Sequence, residues 1–243
     1  MKILFLHLSD AHLEDNTDLR EININAIVSS LTQVGQFDEC VLVFSGDIAN
    51  SGAKNAYTNA GKLIGYLGKN ISKTYLGGKF VQTIVVPGNH DNCVKNKDRN
   101  NLELEEYYKN KEVDSKFTED LDELKNFYEF ASKNRCFSRE KVIDVRKLTF
   151  GDFTIKVNMI NSAPFSLLGS GNRDKGMHYI PQAEFRKLKM NLQSKYTITV
   201  SHHSPEWFSD ASKIAFYNAL NEDTDLYFVG HEHFSQNENK TVN

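Results

Sequence analysis

The sequence predicts an α/β fold that carries a functional site on the loops following its strands. Two observations support this. Short apolar runs alternate with amphipathic segments through the first third of the chain, the pattern of right-handed βαβ units. Five of the apolar runs also end in a loop bearing Asp, Asn or His, and in open α/β sheets the functional crevice lies beyond the carboxyl ends of the strands.

The elements follow in order. Lys2 to Leu8 (KILFLHL), Val41 to Phe44 (VLVF) and Phe80 to Val86 (FVQTIVV) are apolar runs of strand length, the last closed by Pro87-Gly88. Between them, residues 18–34 place Leu19, Ile22, Ala26, Ile27 and Leu31 on one helical face, and residues 55–68 predict a second helix. Residues 92–141 stand apart, with 12 acidic and 11 basic side chains. Leu121, Leu124, Phe127, Tyr128 and Ala131 recur there at three- and four-residue steps, so we expect a charged helical insertion or cap with a solvated outer face. Phe127, Tyr128 and Phe130 read as core. Strands are expected over 142–148 and 153–160 around the turn Gly151-Asp152, then over 196–200 and 226–229. Pro181 opens a helix reaching Leu192, and another spans 210–220.

A chain of 243 residues with no repeat or clear linker is expected to form one domain, 1–243. Its net charge of −3 gives no indication of nucleic-acid binding, and no apolar run is long enough to span a membrane. The start of the chain reads as a strand rather than a signal peptide. Cys40, Cys93 and Cys136 are odd in number and widely spaced, which points to reduced thiols in the cytoplasm.

The loops carry the chemistry. Asp10 and His12 follow the first strand, Asp47 the second, and Asn89, His90 and Asp91 the third; His202-His203 and His231-x-His233 follow the last two. Six of the eight histidines lie in these five loops. Oxygen and imidazole donors without thiolate suit Mn, Fe, Zn, Ni or Co. A carboxylate such as Asp47 can bridge two cations, and two ions about 4 Å apart clamp a phosphate.

The blocks D10-A-H12, G46-D47-I-A-N50, G88-N89-H90-D91, H202-H203 and G230-H231-E-H233 resemble the signature blocks of the calcineurin-like metallophosphoesterases, in order and across nearly the whole chain. The resemblance implies a two-sheet β-sandwich flanked by helices, the αββα metallophosphoesterase fold. It also implies a site for two divalent transition-metal ions, with Mn first in rank. Asp10, His12, Asp47 and His233 would hold one ion; Asp47, Asn89, His202 and His231 would hold the other. His202 is preferred to His203 because the family ligand is the first residue after the strand. His90 would protonate the leaving oxygen and Asp91 would orient it, while a metal-bridging hydroxide attacks phosphorus.

Arg173, His178 and His203 are candidate substrate contacts, and His7 reads as a packed or supporting histidine. The expected activity is hydrolysis of a phosphodiester or nucleotide. A nuclease, a phosphoprotein phosphatase and a non-catalytic interaction module rank below it in that order. Oligomeric state is left open. Only ten residues follow His233, where family domains usually continue with further strands, so we expect the N-terminal catalytic part of a longer protein.

Overall fold

The computed structural model describes residues 1–19, 22–92, 106, 113–134, 136, 142–167 and 174–232. Three parallel strands, β1 (Ile3–Leu8), β2 (Glu39–Ser45) and β3 (Gln82–Val86), form one sheet in the order β1-β2-β3. Helices α1 (Ile24–Ser30) and α2 (Lys54–Tyr75) are the crossovers. The second sheet has the order β4-β5-β6-β7, with β4 (Ile143–Phe150), β5 (Phe153–Ile160), β6 (Tyr196–Val200) and β7 (Leu226–Phe228). β4 and β5 form an antiparallel hairpin; β6 and β7 add in parallel. The remaining helices are α3 (Val113–Asp122), α4 (Lys125–Lys133), α5 (Gln182–Phe185) and α6 (Asp210–Asp223).

This is the α/β architecture of two sheets flanked by helices that the sequence led us to expect. β2 is buried from Cys40 to Ser45, which explains its unbroken apolar run: a central parallel strand is covered on both faces. One apolar cluster contains Val41, Val43, Ile84 and Val86 of the first sheet together with Val157, Met159, Ile198 and Val200 of the second. A second cluster contains Ile160, Phe185, Leu188, Phe216 and Leu220, joining the end of β5 to α5 and α6. Cys40 and Cys136 are buried free thiols, and burial pushes both up to about 12, so neither is reactive near neutral pH. No helix among the described residues is long and apolar enough to cross a membrane.

Two differences from the sequence reading are informative. α2 runs through Gly68 to Tyr75, well past the expected stop. A mid-helix glycine costs about 1 kcal/mol, but Leu63, Ile64, Leu67 and Ile71 continue a buried stripe across it, so tertiary burial wins. The expected helix over 18–34 is shorter, with Asn23 capping α1 through a bond from the Ala26 N–H (2.9 Å) before a tight 3₁₀ turn at Leu31–Val34.

The insertion is more than a surface cap. α4 buries Phe127, Tyr128, Phe130 and Ala131, and Phe130 stacks on Tyr57 of α2 (5.1 Å between centroids). The Asn126 amide donates to Gly52 O at 2.9 Å, and Asp120 on α3 accepts from the Phe165 N–H at 2.7 Å. Helices α3 and α4 thereby brace two loops at the site end of the sheets.

Candidate metal centre

The loops after the strands are sewn together by the backbone. Asp10 N donates to Gly46 O (3.1 Å), His12 N to Asp47 O (2.9 Å) and Leu13 N to Ile48 O (3.1 Å), extending the β1–β2 pairing beyond the sheet. Gly52 N donates to His90 O (2.8 Å) and Gly230 N to His202 O (3.1 Å). Asp10, His12, Asp47 and His231 all adopt left-handed backbone, with φ of 55°, 45°, 53° and 72°. Such conformations are uncommon outside glycine and collect where a site must aim side chains. Two glycines leave room for the groups between them. A Cβ at Gly88 would run into the Asp47 carboxylate and the His202 ring, and one at Gly230 into the Ser9 hydroxyl and Ser45 O.

Asp47 sits at the centre and is 1% exposed. Its Oδ1 accepts from the His90 N–H at 2.8 Å, and its Oδ2 lies 3.2 Å from His202 Nε2. The same Nε2 is 3.0 Å from Asn89 Oδ1, while His202 Nδ1 donates to Ser45 O at 2.7 Å. Asp10 Oδ2 accepts from the His231 N–H at 3.2 Å, and Asp10 Oδ1 is 4.0 Å from His12 Nε2. Among the described residues, three groups have ligand atoms within 4.8 Å of one another: His12–Asp47–His90, Asp10–Asp47–His202 and His202–His203–His231. Asp47 belongs to two of them.

The electrostatics favour a cation. Burial alone would raise the Asp47 carboxyl, but the charge and hydrogen bond of His202 outweigh it and hold the group down to about 2. Burial would likewise depress His202, yet Asp47 raises it to about 9. A divalent ion would answer the same negative field that raises His202. Oxygen and nitrogen donors, a buried carboxylate and crowding that only glycine permits all fit divalent transition ions.

The calcineurin-like phosphoesterase family model matches residues 3–235. The chain belongs to this family. No curated protein matches the chain. Phosphoesterases of this family typically bind two metal ions, and the Asp and His groups above could hold them.

Within this family member, His90 and His12 are only partly buried, their rings 4.5 Å apart edge to face. Burial lowers the His90 pKa against the pull of Asp47, and His12 and His202 push it the same way as burial. Its orientation comes from an unexpected quarter. His90 Nδ1 is 3.0 Å from Asn50 Oδ1, and the Asn50 amide nitrogen donates to Glu14 Oε1 at 3.0 Å. The carboxylate fixes which way the amide faces, so its oxygen accepts from the His90 Nδ1–H.

Asp91, expected to orient His90, lies in the same turn as His90. The Asp91 carboxylate accepts from Gly88 N (2.9 Å), Ala49 N (3.1 Å) and the Tyr57 hydroxyl (2.9 Å). These bonds pin the Asn89–Asp91 turn, and His90 with it, to the loop after β2 and to α2. Asn50 was visible in G-D-I-A-N but reads there as a loop brace. The contribution of Glu14 had no sequence signal, because Glu14 and Asn50 meet only when the first two loops pair.

His178, a candidate substrate contact, is placed in the interior. The ring is fully buried, with Nδ1 2.9 Å from Ser162 O and Nε2 3.2 Å from Asp174 Oδ2, so both nitrogens are committed. His203, expected to touch substrate, is fully buried as well, packed on His231 (4.4 Å) and Trp207 (5.5 Å). Trp207 itself packs edge-on against His231 at 4.2 Å and donates Nε1–H to Glu232 at 2.9 Å, walling the pocket rather than opening to it. His7 supports the floor, with Nε2 2.6 Å from Ser45 Oγ. Arg173 and His233 lie outside the described residues.

The Asp174–His178 contact predicts a pH effect on stability. Burial opposes ionisation of Asp174, but the hydrogen bond and charge of His178 and the Leu167 N–H bond (2.8 Å) lower its pKa overall. A carboxyl depressed in the folded state stabilises above its unfolded value of about 3.9 and loses that contribution as pH falls through the folded value. Asp174→Asn should therefore cost about 2 kcal/mol near neutral pH, and the difference should shrink in acid. Thermal melts of both proteins from neutral pH down to about pH 3 test this; a gap constant with pH would refute it.

Proposed function

We propose that this phosphoesterase hydrolyses a phosphodiester or nucleotide at a centre of two divalent ions. The observation that carries the reading is the position of Asp47, one buried carboxylate shared between the group on the His12–His90 side and the group on the His202 side. Asp10, His12, Asp47 and His233 would hold one ion; Asp47, Asn89, His202 and His231 the other. When bound, such a pair supplies a positive clamp for phosphate oxygens and an acidified water as nucleophile.

The protein's own groups do the rest. Asp47, fixed by the His90 N–H, sets the spacing of the two halves of the site. Ser45 O holds His202 with Nε2 turned toward Asp47 and Asn89. His90, only partly buried and fixed by Asn50, donates a proton from Nε2 to the departing oxygen. The Trp207 wall and the buried His178–His203 layer keep water from the floor.

The diester reading is tested by comparing bis-p-nitrophenyl phosphate with p-nitrophenyl phosphate, with Mn added. We expect Mn-dependent turnover with the diester preferred, and its loss on chelation. Faster turnover of the monoester would overturn the diester preference. No turnover of either compound with Mn, Fe, Zn, Ni or Co would overturn the enzyme reading.

A further inference from the structure

His203 neighbours His202 in sequence but has no role in the ligand sets above. Its ring is fully buried. Nδ1 lies 3.0 Å from Ser162 O and 3.1 Å from Ser162 Oγ. A carbonyl only accepts, so Nδ1 carries the proton and the lone pair of the neutral ring resides on Nε2. That Nε2 is buried and has no hydrogen-bond partner among the described residues. A buried polar nitrogen left bare is costly and calls for an explanation. His178 supplies the internal contrast: it rests on the same Ser162 carbonyl (2.9 Å), but its Nε2 is satisfied by Asp174.

The surroundings of His203 point to the explanation. Its ring centroid is 4.7 Å from His202 and 4.4 Å from His231, and the three residues offer ligand atoms within 4.8 Å of one another. A histidine whose Nδ1–H is held by a backbone carbonyl is in the state that commonly presents Nε2 to a metal. His202 is held the same way by Ser45 O.

Resting on the two-ion reading above, we propose that His203 is a further metal ligand, its Nε2 joining His202 and His231 around one ion. A third imidazole makes that position richer in nitrogen than the one facing Asp10 and His12. It would bias the position toward Zn, Co or Ni over Mn, since imidazole suits the former and oxygen donors the latter.

The test uses the full chain with ¹⁵N-labelled histidine, titrated with Zn and followed by long-range ¹H–¹⁵N spectra, with bound Zn counted in parallel by elemental analysis. The inference expects the His203 Nε2 resonance to move from a free lone-pair position to a metal-bound one as the ions load. It also expects His203→Leu to bind one of the two ions at least about 10-fold more weakly, with the other unchanged. Zn uptake without movement of His203 Nε2 would overturn this inference and leave the two-ion reading standing. No uptake of Zn, Mn or Co would overturn both. The wild-type spectra decide the matter even if His203→Leu fails to fold.

Discussion

Asp47→Ala is expected to abolish ion loading and, with it, hydrolysis. Among the described residues, no other carboxylate is placed to serve both halves of the site, because Asp47 alone belongs to both carboxylate-containing groups. Loss of a mere outer partner of a ligand costs about 10- to 100-fold in metal affinity, so removing a shared ligand should exceed the upper end of that range. Two consequences separate this from simple unfolding. The truncation removes the counter-charge that raises His202, so that imidazole becomes neutral and its burial is tolerated. The apo variant should then melt close to the apo wild type, while losing the stabilisation that added Mn gives the wild type. Asp47→Asn keeps an acceptor for the His90 N–H and should fold equally well, yet still load poorly. Elemental analysis and melting with and without Mn check both; a variant carrying two tightly bound ions would defeat the assignment.

His90→Ala should leave the ions bound and slow catalysis in proportion to the need for a proton on the departing oxygen. A well-placed general acid contributes about 10²- to 10⁴-fold. That contribution matters for an alkoxide leaving group and little for p-nitrophenolate, which departs unaided. We therefore expect a loss of about 100-fold or more on alkyl or nucleoside diesters and a much smaller loss on bis-p-nitrophenyl phosphate. An equal loss on both would show that His90 is not the acid. Asn50→Ala should give a weaker version of the same pattern. Its amide positions the His90 ring through a 3.0 Å bond, and the ring itself remains.

Much of the site was legible along the chain because metal chemistry restricts residue type so severely. Asp10, Asp47, His202 and His231 stand out as donors on loops directly after apolar runs, and the fold gathers them because parallel strands deliver their carboxyl ends to one edge. The supporting contacts were not legible. Glu14 reaches Asn50, and Ser45 O reaches His202 across 157 positions of sequence. Such partners leave no local pattern, since any residue has a backbone carbonyl and exposed glutamates are common. The burial of His178 was not legible either. Its loop folds under Trp207 and Phe208, which are distant from it in sequence, and the ring is buried.

The length of α2 and the embedding of α4 belong to the same lesson. Propensity marks Gly68 as a stop, and it is overruled by an apolar stripe that finds its partners only in three dimensions, whereas the apolar stripe of α4 was already legible and the structure supplies its partner, Tyr57 of α2. By itself, then, the amino-acid order determined the alternation of strands and helices, the donors that follow the strands, and through them the family. The tertiary structure alone decided which atoms of those donors face one another, that the Asn50 amide meets His90 Nδ1, and that His203 Nε2 has no hydrogen-bond partner among the described residues. Residue type and period are properties of a local stretch, whereas tautomer, burial and hydrogen-bond partner are set by whatever distant segment the fold brings alongside.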